Sequence, residues 1–216
     1  MPELPEVETS VQAIQEFTSQ NLESIKIYNP NLRWKVDSSA FYALNGMKVK
    51  GISRRAKYIL IKFKHGTLMI HLGMSGHMKV LPNDQQPKKH DHIDFITESK
   101  LIIRFHDPRR FGCVLWGPTD INQHRLLCNL GQEPFDQHLT GQVLYTASRG
   151  RRTPIKQFIM SGKIVVGVGN IYTNEALFRT GLRPGRAAFR VTRKQYSNLL
   201  SNITVSYTHL TLPTNR

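Results

Sequence analysis

Seven short apolar runs between residues 46 and 116 constrain this chain most: KVKGI, YILIKF, TLMIHL, HMKVL, HIDFIT, KLIIRF and CVLW. Gly, Pro, Asn or Asp falls in four of the six gaps between them. Short runs of this kind, rich in branched and aromatic residues, read as strands. KHG at 64–66 and TESK at 97–100 read as hairpin turns. Seven such strands predict an antiparallel sandwich or barrel.

The flanks differ from this middle. Val7, Val11, Ile14 and Phe17 fall on one helical stripe, so residues 3–19 predict an amphipathic helix. Pro2 precedes its first turn, where proline is tolerated, and Glu3 and Glu6 stand three apart on one face. After about residue 118 the texture becomes helical again, with segments at 122–130, 138–148, 153–161, 170–180 and 192–204. GKIVVGVGN at 162–170 is a glycine-punctuated link into the helix begun by Asn170. The closing SYTHLTLPTNR shows neither periodicity nor a core face. The expected fold class is α+β: an N-terminal helix plus antiparallel β-sandwich over 1–118, an α-helical domain over 119–205, and a tail over 206–216.

Charge narrows the class of partner. The chain carries 30 Lys and Arg against 15 Asp and Glu, for a formal net charge of +15. The excess is segregated: residues 149–194 hold eleven bases and one acid, Glu175. A basic segment of this kind points to a polyanion, most often nucleic acid. No apolar run approaches the length of a membrane span, and no apolar signal segment follows the N-terminus. Cys113 and Cys128 form neither a metal-type pair nor a disulfide framework. A reducing cytoplasm is the expected compartment.

Pro2 has chemistry available to it. Once an initiator methionine is trimmed, proline presents a free secondary amine, and α-amino groups titrate at about 7.7–8.0. Such an amine attacking C1′ of a deoxyribose gives an iminium ion, an electron sink that acidifies the C2′ hydrogen and splits one hard step into easier ones. A carboxyl beside it, Glu3 or Glu6, can protonate the sugar oxygen and shuttle protons. Against this, PELPE also reads as a helix cap with acids that suit the helix dipole.

The context decides between them. MPELPEVET at the start, RRAKY at 54–58, HLGMSG at 71–76, KHDH at 89–92, DPRRFG at 107–112 and VGVGNIY at 166–172 resemble, in this order, the formamidopyrimidine-DNA glycosylase family (Fpg, or MutM). KHDH and DPRRFG look more like this branch than the related endonuclease VIII type. The resemblance covers about residues 1–204. It implies a bifunctional DNA glycosylase and abasic-site lyase of base excision repair that excises oxidised purines such as 8-oxoguanine and formamidopyrimidines. It implies Pro2 as the Schiff-base nucleophile, Glu3 as general acid, Glu6 as a supporting carboxylate and Lys57 as the base that helps strand cleavage. Met74, Arg109 and Phe111 resemble the group inserted where the damaged base leaves the duplex, with Arg109 facing the orphaned cytosine. His90, Arg109 and Arg151 match DNA contacts, and Tyr58 a weaker one. Asn170 opens a helix that, with those before it, resembles the family's helix-two-turns-helix motif, at an end that favours phosphate. The implied partner is damaged double-stranded DNA, bound by a monomer with no membrane.

One part of the pattern departs. Relatives carry a C-terminal zinc finger of two CxxC pairs, and no four-thiolate site can be built from Cys113 and Cys128. No metal or other cofactor is therefore expected from this chain. The alternative to the active enzyme is a catalytically weak or inactive DNA-binding fragment of one; a general nucleic-acid-binding protein with a structural N-terminus is the third reading.

Overall fold

The computed structural model describes the backbone of residues 2–82 and 84–211, with side chains through residue 207. Its helices are α1 (Leu4–Ile14), α2 (Ser38–Tyr42), α3 (Gly141–Ser148), α4 (Ile155–Met160), α5 (Asn170–Thr180) and α6 (Arg193–Thr211). Its strands are β1 (Leu22–Ile27), β2 (Gly51–Arg55), β3 (Tyr58–Lys62), β4 (Thr67–His71), β5 (His77–Pro82), β6 (Asp91–Thr97), β7 (Leu101–His106) and β8 (Cys113–Gly117). The chain divides into two compact units, Pro2 with Glu6–Cys128, and Glu3–Pro5 with residues from Asn129 onward.

The first unit is a sandwich. One four-stranded sheet runs β1-β6-β7-β5 and the other β2-β3-β4-β8, and every strand pairing given for them is antiparallel. Alternate side chains of both sheets meet in a single core, with Ile25, Phe95 and Phe105 from one and Ile59, Ile70 and Val114 from the other. Val7, Val11, Ile14 and Phe17 of the predicted stripe bury into that core. Helix α1 ends at Ile14, and Phe17 is carried by a 3₁₀ turn, Gln15–Phe17.

Strand β1 escaped the sequence pattern, and the reason is local. Its register with β6 shifts between Leu22 and Ser24, so the buried residues Leu22 and Ile25 stand three apart rather than two. A bulge of this kind erases the period-two signal. KVKGI also contributes less strand than expected: pairing with β3 runs from Gly51↔Lys62 to Arg55↔Tyr58. Turns at 64–66 and 97–100 form as expected, with Phe63 N–H donating to Gly66 O and Lys100 N–H to Thr97 O.

In the second unit, α3 to α6 enclose a core that includes Leu144, Phe158, Leu177 and Tyr196. Two expectations change here. Residues 122–130 hold only a 3₁₀ turn, Ile121–Gln123, because Leu127 and Cys128 N–H fold back onto His124 O instead of continuing a helix. Helix α6 continues through Thr211, and Tyr207 is buried in the core. The first residues of the expected tail therefore belong to the helical unit, while 212–216 lie outside the described residues. Among the described residues no helix is long and apolar enough to cross a membrane.

Candidate functional site

Glu3 is placed by backbone rather than by its own helix. It precedes α1 and is 1% exposed. Its Oε2 accepts from Gly169 N–H at 2.8 Å and Tyr172 N–H at 3.4 Å, and its Oε1 from Ile171 N–H at 2.9 Å. The open N–H groups at the start of α5 thus close on the chain's own carboxylate. Gly167 makes this possible. It has φ +79, and a Cβ there would stand 2.6 Å from Leu4 Cδ1, so only glycine lets Leu4 N–H reach Gly167 O at 3.2 Å. This alters the expectation for Asn170: a phosphate at that helix end would meet the exposed Asn170 side chain rather than the three amides Glu3 occupies. Glu6 is exposed on α1, and Pro2 is half-buried.

Lys57 sits in the two-residue turn of the β2–β3 hairpin, after Ala56 at φ +53. A brace holds that turn. Arg54 Nε donates to Glu8 Oε2 at 2.8 Å, and Arg54 Nη1 to Ala56 O at 2.9 Å. The guanidinium therefore ties α1 to the residue before Lys57. Beside the turn, the Tyr58 and His71 rings lie 4.9 Å apart. His71 Nδ1 accepts Gly73 N–H at 3.0 Å, which places the neutral ring's proton on Nε2. Burial first, then the Lys57 and Arg33 charges, push the His71 pKa down to about 4. As the pH falls from 6.5 toward about 4, the unfolded chain takes up a proton that the folded His71 refuses. Stability contributed here is full above that window and is lost on passing down through it. Melting temperatures of the parent and His71→Gln across these pH values should show a steeper acid loss in the parent.

Asp107, which the motif reading left without a role, joins two loops. It is fully buried. Its Oδ1 accepts from Ser75 Oγ at 2.7 Å and Arg109 N–H at 3.3 Å, and its Oδ2 from Gly112 N–H at 2.8 Å. One carboxylate thereby fixes the Met74 loop against the loop of Arg109 and Phe111. Met74 is 42% and Phe111 46% exposed, unlike core residues of their type. The Arg109 guanidinium lies 4.8 Å from the Phe111 ring centroid. Arg33, His71, Gly73, Met74 and Phe111 line a mainly apolar cavity of about 430 Å³. Arg33, absent from the sequence expectations, is held there by Arg33 N–H donating to Gly112 O at 3.1 Å.

His90 takes φ +76 and is half-buried at the mouth of β6. Its neighbour Asp91 accepts from His106 Nδ1 at 2.6 Å and from Lys88 N–H at 2.8 Å. Arg104, 2% exposed, fixes the approach: Nε and Nη2 each reach Asp94 at 2.7 Å, while Nη2 and Nη1 donate to Gln85 O and Gln86 O. In the helical unit, Arg151 is exposed just after α3, and its carbonyl accepts Phe189 N–H at 3.1 Å. Helices α4 and α5 are joined by residues 161–169, with Gly162 and Gly167 at positive φ.

Cys113 is buried in β8, where burial pushes its thiol up to about 11, and Cys128 is exposed. Among the described residues, no group of three or more His, Cys, Asp or Glu is placed to hold a metal ion.

Comparison with known proteins adds a family. Residues 1–114 match the formamidopyrimidine-DNA glycosylase N-terminal domain, and residues 130–207 the H2TH domain of the same enzymes. The chain is 48% identical over 200 residues to a formamidopyrimidine-DNA glycosylase of Syntrophotalea carbinolica, covering 92% of this chain and 74% of that protein. It is also 48% identical over 204 residues to that of Hydrogenovibrio crunogenus, covering 94% and 73%. Among solved structures, it resembles Lactococcus lactis Fpg in complex with Fapy-dG-containing DNA, with TM-score 0.89, 25% identity and coverage of 97% and 80%. A complex of the same protein with abasic-site DNA gives TM-score 0.89 at 25% identity, covering 97% and 78%.

Proposed function

The chain belongs to the formamidopyrimidine-DNA glycosylase family, and from that membership we propose that it is a bifunctional glycosylase and abasic-site lyase of base excision repair. It excises oxidised purines, 8-oxoguanine and formamidopyrimidines, from damaged double-stranded DNA as a monomer in the bacterial cytoplasm. With Met1 trimmed, the Pro2 amine attacks C1′ of the damaged nucleotide. Glu3 protonates the sugar ring oxygen as the ring opens, and the base leaves with the glycosidic electron pair. The resulting iminium withdraws electrons from C2′. Lys57 assists removal of the C2′ proton, and the electron pair expels the 3′ phosphate in β-elimination; a second, δ-elimination releases the sugar remnant. Met74 and Phe111 fill the space left by the extruded nucleotide, Arg109 pairs with the orphaned cytosine, and His90, Arg151 and Asn170 hold phosphates. No cofactor is needed from this chain.

The observation that carries this reading is Glu3. Glu3 is a buried carboxylate with both oxygens held by three backbone amides, and it follows Pro2 directly in the chain, which supports giving it the proton-transfer role beside that amine. The test is borohydride trapping on duplexes with 8-oxoguanine opposite cytosine or with an abasic site, the N-terminus being verified by mass spectrometry. A covalent adduct that disappears when the amine is blocked supports the proline mechanism. An adduct with neither duplex, from folded protein lacking Met1, leaves the inactive DNA-binding reading instead. Arg109→Ala should lose the preference for cytosine opposite the lesion; an unchanged opposite-base profile counts against its role.

A further inference from the structure

In the helical unit, a cavity of about 480 Å³ opens between α3 and the start of α6. Three guanidinium-bearing residues, Arg149, Arg190 and Arg193, line it with Tyr145, Phe189 and Gln142. No carboxylate lines it. The acids of residues 129–211 are Glu133, Asp136 and Glu175; Glu175 pairs with Arg179 at 2.6 Å, and Asp136 accepts His138 N–H at 2.8 Å.

The guanidiniums differ in how firmly they are held. Arg149 lies 3.9 Å over the Tyr145 ring. Its Nε donates to Tyr145 O at 3.0 Å, and its Nη2 to Ser148 Oγ at 2.9 Å and Val191 O at 3.2 Å. Its Nη1 donates to no group among the described residues. Arg190 lies 5.6 Å from the Phe189 ring centroid, and no described residue accepts from its guanidinium. Arg193 makes one long hydrogen bond, Nη1 to Gln142 Oε1 at 3.4 Å. Gathering three like charges without a counter-charge is electrostatically unfavourable. A phosphate relieves it, because guanidinium forks match phosphate oxygens bidentately.

The cavity also adjoins an expected DNA-binding residue: Phe189 N–H donates to Arg151 O, so one rim is bonded to that residue's backbone. We infer that this basket is a second phosphate site, taking a phosphodiester of the bound DNA beyond those already assigned. The inference rests on the reading of the chain as a DNA glycosylase. The shared chemistry is a phosphoryl anion, and the neighbouring Arg151 selects a DNA strand over a free phosphate.

Fluorescence anisotropy across a salt series tests it, using lesion-centred duplexes of about 12 and about 30 base pairs, the longer able to offer more phosphates to the protein. Arg190→Gln with Arg193→Gln should reduce the slope of log K against log salt on the longer duplex by about 1 for each phosphate no longer engaged. On the shorter duplex the double variant should lose less of the slope than on the longer one. A control removing two charges that do not line the cavity, Lys62→Gln with Lys64→Gln, should leave the difference between the two duplex lengths as in the parent. Equal slopes for parent and Arg190/Arg193 variant on both lengths would overturn the second site while leaving the glycosylase reading intact. Inorganic pyrophosphate binding to the parent but not the variant, with no slope change on DNA, would assign the basket to a free anion and overturn the inference as stated. A parent that neither excises nor traps lesion DNA fails the underlying reading, and the second site falls with it.

Discussion

Replacing Glu3 with Gln is expected to slow excision of 8-oxoguanine by about 10²–10⁴-fold, the range typical of a missing general acid. The substitution keeps size and shape but removes the ionisable proton. It also changes the hydrogen bonding. Both Glu3 oxygens accept from backbone N–H groups, and an amide turns one acceptor into a donor facing a donor. An unsatisfied buried group of this kind costs about 1–3 kcal/mol, or roughly 2–12 °C in melting temperature at this chain length. Single-turnover excision below the melting range separates the two effects. Trapping at a pre-formed abasic site, where no base has to leave, should fall far less. An excision rate within a few-fold of the parent would remove Glu3 from the proton-transfer step.

The second large effect is expected at Asp107. Asp107→Ala leaves Ser75 Oγ, Arg109 N–H and Gly112 N–H without their shared acceptor. Water can reach some of these groups, so a cost of about 2–4 kcal/mol is expected. The functional consequence is more specific. The Met74 loop and the Arg109–Phe111 loop would no longer be held in one arrangement, so insertion into the duplex would lose its preorganisation. Excision from an intact lesion duplex should fall by at least about tenfold, the equivalent of about 1.4 kcal/mol in the transition state. Trapping at an abasic site in single-stranded DNA, which needs no insertion, should be nearly preserved. Equal losses on both substrates would show that Asp107 serves stability alone.

These two residues show how differently a sequence exposes its site. Glu3 stood out because it follows Pro2 at a chain end, where a chemical role is unusual. Asp107 sits inside DPRRFG, yet its role depends on Ser75, a residue 32 positions away, and no local pattern announces such a partner. Arg54 is similar: its ion pair to Glu8 spans 46 positions, and on the sequence it is one of two adjacent arginines. Arg104 looked like a strand residue in KLIIRF. Its burial follows from Asp94 standing opposite it in the β6–β7 register.

The sequence by itself determined the element types wherever periodicity was unbroken. Val7, Val11, Ile14 and Phe17 declared a buried helical stripe, and seven runs with their turns declared a sandwich. Helix α5 matched the expected 170–180 span, ending at Gly181 in the left-handed conformation. Local chemistry suffices for such features, because side-chain spacing and turn residues act within a few positions. The tertiary structure alone decided the bulged strand β1, the continuation of α6 past residue 206, and the destination of Glu3. A bulge hides its period from the sequence. Tyr207 gains a core only when α6 packs in the helical unit, and three open amides at a helix start find their anion 166 to 169 positions earlier in the chain. Each of these depends on a hydrogen bond or burial between residues distant in sequence, whose free energy exists only once the chain has folded.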